Sequence, residues 1–345
     1  MKALVIGGTG FIGSHLVRAL LARGDAVRVL ARNPARAASL EAAGAEVVRG
    51  DLGEPDTLRG IAEGIDVVFH LGSVVSAPEA VFQRVDVEGT GWLLAESARA
   101  GVRRLIFAGT LAGYPLSRLQ DGAVIDEQCA LDDSGLLGSY ARAKASAEDA
   151  ILDTHRRGQL ECVILRLGLV CGPGAPLFPP HVGRTVRGGL MLIFGNGRIP
   201  LPLVFVDNVV DAFLQAATLP DIGGEIFNIV DEEVLTQLEY VDLYGKATGA
   251  MPRVVRLPRL AYYALGAATE FLAALRHREA ATTRYRVRAR LRRVRWDCSK
   301  AQRQLQWRSR VSLRAGLANT FRATAADRLR APAPGGDAGA LQVRS

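Results

Sequence analysis

The sequence predicts an α/β fold, a doubly wound parallel sheet with a smaller, mostly helical C-terminal region. Three observations lead there. Short apolar runs alternate with amphipathic segments through the first half of the chain. Those runs are apolar at nearly every residue, not every second one, as in strands buried on both faces. The first run leads directly into a glycine-rich turn followed by a helical pattern.

Taken in order, Ala3–Ile6 reads as a strand and Phe11–Ala22 as a helix. Ala26–Leu30 is the second strand, followed by a helix over Ala35–Ala43. Glu46–Val48 is a strand, Pro55–Ala62 a helix, and Val67–Leu71 the next strand. A long helix covers Val81–Ala100, and Leu105–Ala108 and Cys162–Leu167 are central strands. Right-handed crossovers between such units give a Rossmann-type sheet. Residues 171–202 are rich in Gly and Pro, so loops are expected there. Val204–Val206 and Glu225–Val230 read as strands with a helix at Asn208–Ala217 between them. Beyond 231 the pattern is mostly helical, and 331–345 (APAPGGDAGALQVRS) reads as a disordered tail.

The composition narrows the class. Of 345 residues, 49% are hydrophobic and 23% charged, which excludes a disordered chain. No apolar run is long enough to span a bilayer, and the N-terminus opens on a core-like strand, not a secretory leader. Cys129, Cys162, Cys171 and Cys298 form no C-x-x-C pair and no zinc spacing. No metal and a reducing, cytoplasmic setting are expected. The net charge of +8 is uneven. Residues 251–314 hold 17 Lys and Arg against 3 Asp and Glu, a balance of +14 that leaves the rest of the chain at −6. Such a segment is either a solvated surface or one that faces anions.

The first strand runs into Gly7-Gly8-Thr9-Gly10-Phe11-Ile12-Gly13, which fits G-x-G-x-x-G. Without Cβ atoms the backbone turns tightly and lets a pyrophosphate approach, and the helix that follows aims free N–H groups at it. The second strand ends in Ala31-Arg32-Asn33. An NAD site would place a carboxylate there for the ribose 2′-hydroxyl, whereas a guanidinium can hold a 2′-phosphate. NADP(H) is therefore expected in preference to NAD(H), with Arg36 as a second contact. This assigns 1–170 to dinucleotide binding, with 204–230 returning to that domain. Residues 171–203 and 231–330 are assigned to the substrate.

Tyr140 and Lys144 are four residues apart, on one face of a helix. A nearby ammonium favours phenolate and lowers a tyrosine pKa, which suits it to proton exchange with a substrate oxygen. With GGTGFIG (7–13), GDL (50–52), VVFHLGS (67–73), VDVEGT (85–90), RLIFAGT (104–110), YARAK (140–144), RLGLVCGPG (166–174), VFVDNVVDA (204–212) and WDCSKAQRQLQW (296–307), the chain resembles the extended short-chain dehydrogenases/reductases of the NAD-dependent epimerase/dehydratase superfamily. The resemblance covers roughly 1–325 and is closest to the 3β-hydroxysteroid dehydrogenase and dihydroflavonol reductase-like branches. It implies Tyr140 as acid/base, Lys144 on the nicotinamide ribose and Thr110 on the substrate carbonyl. It implies cofactor contacts from Gly7 to Gly13, Arg32, Asp51, Leu52 and Leu71, and a homodimer through the helices near 81–100 and 140–155. Asp86 stands where the family usually has Asn, and Cys171 where it has Tyr.

Nucleotide-sugar enzymes of that family differ from this chain at three places. Leu111-Ala112 replaces the Asp-Glu pair that follows Thr110 in the dehydratases. Gly168 stands in place of an Asn, and Leu201 in place of the diphosphate-binding Arg. A ketone or secondary alcohol on an apolar molecule is expected instead: a steroid or terpenoid, a flavonoid-like ring or a fatty β-keto compound. A 4-epimerase and a non-catalytic cofactor-binding protein are the alternatives. Leu177, Phe178, Pro179, Leu201, Leu203 and Phe205 are candidates for the pocket wall. Residues 258–275 read as a lid or core helix with Leu260, Tyr263, Ala267, Phe271 and Leu275 on one face. The competing reading is peripheral membrane contact through 258–295. No nucleic-acid motif is present.

Overall fold

The computed structural model describes residues 1–186, 190–276, 280 and 282–330, so the expected tail at 331–345 lies outside the described residues. Strands β1 (Lys2–Ile6), β2 (Ala26–Ala31), β3 (Glu46–Arg49), β4 (Val67–His70), β5 (Arg104–Thr110), β6 (Glu161–Leu167) and β7 (Ile226–Ile229) form one sheet. Its order is β7-β6-β5-β4-β1-β2-β3, with every pair parallel. Ala3, Leu4, Val5, Val67, Val68 and Phe69 are fully buried, which is why these strands read as unbroken apolar runs.

Both faces are covered. Helices α1 (Phe11–Ala22) and α4 (Val206–Thr218) bury Val17, Leu20, Val209 and Phe213 on one side. Helices α2 (Gly89–Arg99) and α3 (Ser139–Arg156) bury Leu93, Leu94, Ala147 and Ile151 on the other. The strand order reverses between β1 and β4, and doubly wound sheets open their ligand crevice at that point.

Several expected elements differ. Ala35–Ala43 is a 3₁₀ turn, Pro34–Ala37, and one α turn, Ala38–Glu41. Pro55–Ala62 keeps only the 3₁₀ turn Pro55–Leu58, because Arg59 turns extended and Gly60 takes positive φ. The helix expected over Val81–Ala100 starts at Glu79 and contains a wide π turn, Gln83–Glu88, before α2. Residues 171–202 are not only loops. Leu190–Phe194 is a strand between Arg184–Val186 and Arg253–Leu257, and Met191 and Ile193 supply its buried face. Leu203–Phe205 pairs with Leu169–Cys171 outside the main sheet, so only Ile226–Ile229 of 204–230 is a strand of that sheet.

The C-terminal helices are α5 (Gln237–Thr248), α6 (Arg259–Leu275), α7 (Arg284–Arg290) and α8 (Leu313–Arg330). Helix α5 begins with a reciprocal capping box between Thr236 and Glu239. It meets α8 through edge-on ring contacts of Tyr240 and Tyr244 with Phe321.

Candidate active site

The glycine loop is shaped by lack of room. Gly7 has φ 84°, and a Cβ there would lie 2.7 Å from the Gly72 nitrogen at the end of β4. A Cβ on Gly13 would collide with the Gly7 carbonyl oxygen. The tips of β1 and β4 therefore touch, and α1 starts directly above them. Gly10 opens α1 in an extended conformation with no side chain capping it, and no acidic residue occupies the first turn. The first N–H groups of the helix and its positive dipole end are left for an anion. The loop thus forms a cradle that side chains would fill, and it fits a dinucleotide pyrophosphate.

Beside it, Thr9, Arg32, Asn33 and Arg36 line a polar cavity of about 290 Å³. Asn33 accepts from the Ala35 N–H at 3.1 Å and so fixes the turn that carries Arg36. Among the expected cofactor contacts, Asp51 is tied down by the Gly53 N–H at 2.9 Å, and Leu52 is buried with its carbonyl against Gly89. The Leu71 N–H donates to the Ile6 carbonyl at 2.9 Å and extends the β1–β4 contact.

Thr110 ends β5, and Tyr140 stands in the first turn of α3. Their side chains lie near enough for the Thr110 hydroxyl to act on the Tyr140 phenol. Phe82 meets the Tyr140 ring edge-on at 6.3 Å. Lys144, one turn on, is buried; its ammonium donates to the Ala108 carbonyl at 3.0 Å and lies 4.4 Å from the Phe107 ring centre. Burial lowers its pKa to about 8, against the opposing pull of Asp86 and Glu148. The expected lowering of the tyrosine pKa is not met. Burial raises it, Thr110 opposes that, and the Asp86 charge adds to the rise.

The π turn places Asp86 here. Its carboxylate accepts from the Ser73 hydroxyl and from the Val74 N–H at 3.3 Å. Burial raises its pKa, opposed by the Ser73 bond and the Lys144 charge. Thr90 donates to the Asp86 carbonyl at 2.5 Å, so the 2.9 Å bond from His70 to Thr90 is donated by Nε2. His70 is buried and held neutral, its pKa lowered to about 3 by burial and then by Lys144.

Sequence reasoning missed Glu148 and Ser73. Glu148 continues the Tyr140–Lys144 spacing by another four residues, which is the signal that could have found it. It is buried and pairs with Arg166 at 2.8 Å, and Arg166 donates to the Tyr114 hydroxyl at 2.9 Å. Nothing in the local pattern marks Ser73 as the partner of Asp86.

The expected pocket wall divides. Leu201, Leu203 and Phe205 are fully buried core, packed with Met191, Tyr240 and Leu317. Phe205 fills the space above Gly316. Leu177 and Phe178 are half-buried; the Tyr240 hydroxyl donates to the Leu177 carbonyl at 2.7 Å. The expected face of α6 is also turned. Tyr262 and Gly266 are its buried residues, while Leu260, Ala267, Phe271 and Leu275 face out.

The NAD dependent epimerase/dehydratase family matches residues 3–230. A 4-hydroxy-2-methyl-3-oxo-4-farnesyl-3,4-dihydroquinoline-1-oxide ketoreductase from Stigmatella aurantiaca is 30% identical, covering 100% of both chains. A 2-alkyl-3-oxoalkanoate reductase from Stenotrophomonas maltophilia is 32% identical over 74% of this chain and 77% of its own. Among solved structures, UDP-glucose 4-epimerase from Thermotoga maritima with UDP-glucose superposes with TM-score 0.74 at 25% identity, covering 94% of this chain and 99% of that one. The chain belongs to the NAD-dependent epimerase/dehydratase family and, with it, to the extended short-chain dehydrogenases/reductases. It is an NAD(P)-dependent oxidoreductase.

Proposed function

We propose that the protein reduces a ketone on an apolar molecule to the secondary alcohol, with NADP(H) preferred. The observation that carries the reading is the grouping of Thr110, at the end of β5, with Tyr140 in the first turn of α3 and Lys144 buried one turn on. A bound nicotinamide supplies the hydride. Tyr140 donates its phenolic proton to the carbonyl oxygen as charge develops there, and Thr110 hydrogen-bonds the same oxygen. Lys144, anchored on the Ala108 carbonyl one turn after Tyr140, would hold the nicotinamide ribose, and Glu148, whose charge acts on Lys144, is paired with Arg166. Arg32 and Arg36 would hold the 2′-phosphate in the cavity they share with Thr9 and Asn33.

The apolar substrate class is favoured by the farnesylated and alkylated ketones for which the two relatives are named. A nucleotide-sugar epimerase is disfavoured by Leu201, which is buried in the core and offers no charge to a diphosphate. Residues 171–203 and 231–330 are proposed as the substrate-binding region.

The test is a fluorescence titration with NADPH and with NADH, followed by turnover of a 2-alkyl-3-oxo acid and a prenylated ketone. Tighter NADPH binding that Arg32→Asp weakens, with NADPH-dependent loss of the ketone, is the expected result. Preference for NADH together with conversion of UDP-glucose would overturn the reading.

A further inference from the structure

Helix α6 carries a large apolar surface that the protein does not cover. Leu260 is 83% exposed, Phe271 66% and Leu275 65%, and Leu265 and Leu272 are exposed beside them. Between Arg259 and Arg276 the one charged residue is Glu270. That carboxylate accepts from the Arg284 backbone N–H at 2.7 Å and from its Nε at 2.6 Å, so its charge is matched. Seventeen helical residues span about 25 Å. Exposed arginines flank the strip in sequence, Arg253, Arg256 and Arg259 before it and Arg276, Arg284 and Arg288 after it.

We propose that this strip docks the protein on an anionic lipid surface. The helix would lie in the interface, its leucines and Phe271 among acyl chains and the arginines at the headgroups. Charge decides against a second copy of the chain as the occupant. A two-fold contact would set the same patch against itself, and that patch belongs to a segment with a balance of +14. Among the described residues no helix is long and apolar enough to cross a membrane, so the contact is peripheral.

The strip is also linked by packed side chains to the candidate site. Tyr262, on the buried face of α6, stacks on Phe194 at 4.0 Å and accepts from Arg290 of α7 at 3.0 Å. Arg286 of α7 lies against Gly138, two residues before Tyr140. If the reductase reading holds, a ketone dissolved in the bilayer would be delivered beside its proton donor.

The experiment is flotation of the full chain with vesicles of phosphatidylcholine alone and with about 30% phosphatidylglycerol. Binding should be at least about tenfold stronger to the anionic vesicles and should weaken as salt is raised. Phe271→Glu with Leu275→Glu should reduce it about tenfold or more with an unchanged circular dichroism spectrum. Arg253→Glu with Arg256→Glu should abolish the preference for phosphatidylglycerol. Absence of binding to both vesicle types would overturn the proposal, as would equal binding to both. So would a concentration-dependent dimer that Phe271→Glu dissolves. If a variant fails to fold, the two vesicle types and the salt series decide on the unaltered chain. Turnover is not the readout, so failure of the reductase reading would leave this result standing.

Discussion

Helices α1 and α6 are both rich in apolar residues, yet they use them in opposite ways. In α1, Leu16, Val17 and Leu20 vanish into the sheet, and Gly10 and Gly13 let the helix start against a strand end. In α6, Tyr262 and Gly266 are the buried residues, and the leucines and Phe271 point outward. Apolar content therefore does not tell a packed face from a spare one. In the first region the apolar side chains are enclosed; in the second they lie largely in the open. The two should respond very differently to substitution.

The sharpest contrast is chemical. Tyr140→Phe should lower kcat by about 10²–10⁴ while NADPH affinity stays within a factor of about two. Single-turnover and binding measurements on the same sample would separate the two, and unchanged turnover would remove Tyr140 from the reaction. Next comes packing. Leu16→Ala should cost about 2–5 kcal/mol in urea unfolding, since Leu16 is fully buried beside the sheet. Phe271→Ala should cost less than about 0.5 kcal/mol despite removing a larger side chain. Comparable losses at the two positions would abolish the distinction between the helices. Arg32→Asp should weaken NADPH by about tenfold or more and leave NADH nearly unaffected, because it replaces a charge-assisted donor with a repelling group. The same isothermal titration with both cofactors settles it.

The smallest effect is one of pH. The Asp86 charge raises the pKa of Tyr140, so Asp86→Asn should lower it. Alcohol oxidation needs the deprotonated phenol. The acidic limb of its kcat/KM profile should therefore move to lower pH, and a limb that stays put would place Asp86 outside the electrostatics of the site. Asp86→Asn also removes a charge that supports protonated Lys144, whose pKa should fall below its present value of about 8.

The sheet was legible because strands buried on both faces write themselves as continuous apolar runs. Ala3–Ile6, Val67–Leu71 and Leu105–Ala108 lie within two residues of the ends of the strands found. Helices interrupted from within were harder. Arg59 and Gly60 end one early, and the wide turn at Gln83–Glu88 breaks another without any Gly or Pro inside it. Leu201, Leu203 and Phe205 read as a pocket wall in the sequence because alternating apolar residues look the same whether they meet a ligand or a core. The packing of Phe205 onto Gly316, 111 positions later in the chain, is invisible to any local pattern. At the site, the spacing of Tyr140 and Lys144 was readable from one helix. The bond between Ser73 and Asp86 crosses from the end of a strand to a helix, and no spacing rule reaches it.

That wide turn also bears on how the chain tolerates changes in length. A π turn is an α-helix that has absorbed one extra residue and kept its course. Deleting a residue between Gln83 and Glu88 should let the backbone close into a regular helix, with Gly89–Arg99 still docked on the sheet. The side chains within the turn would be redirected, and Asp86 would lose its reach to Ser73 and Val74. The scaffold can thus shed or acquire one residue here as a reversible insertion. Whether a carboxylate faces the proton donor is then recorded in the length of this helix as well as in the identity of residue 86.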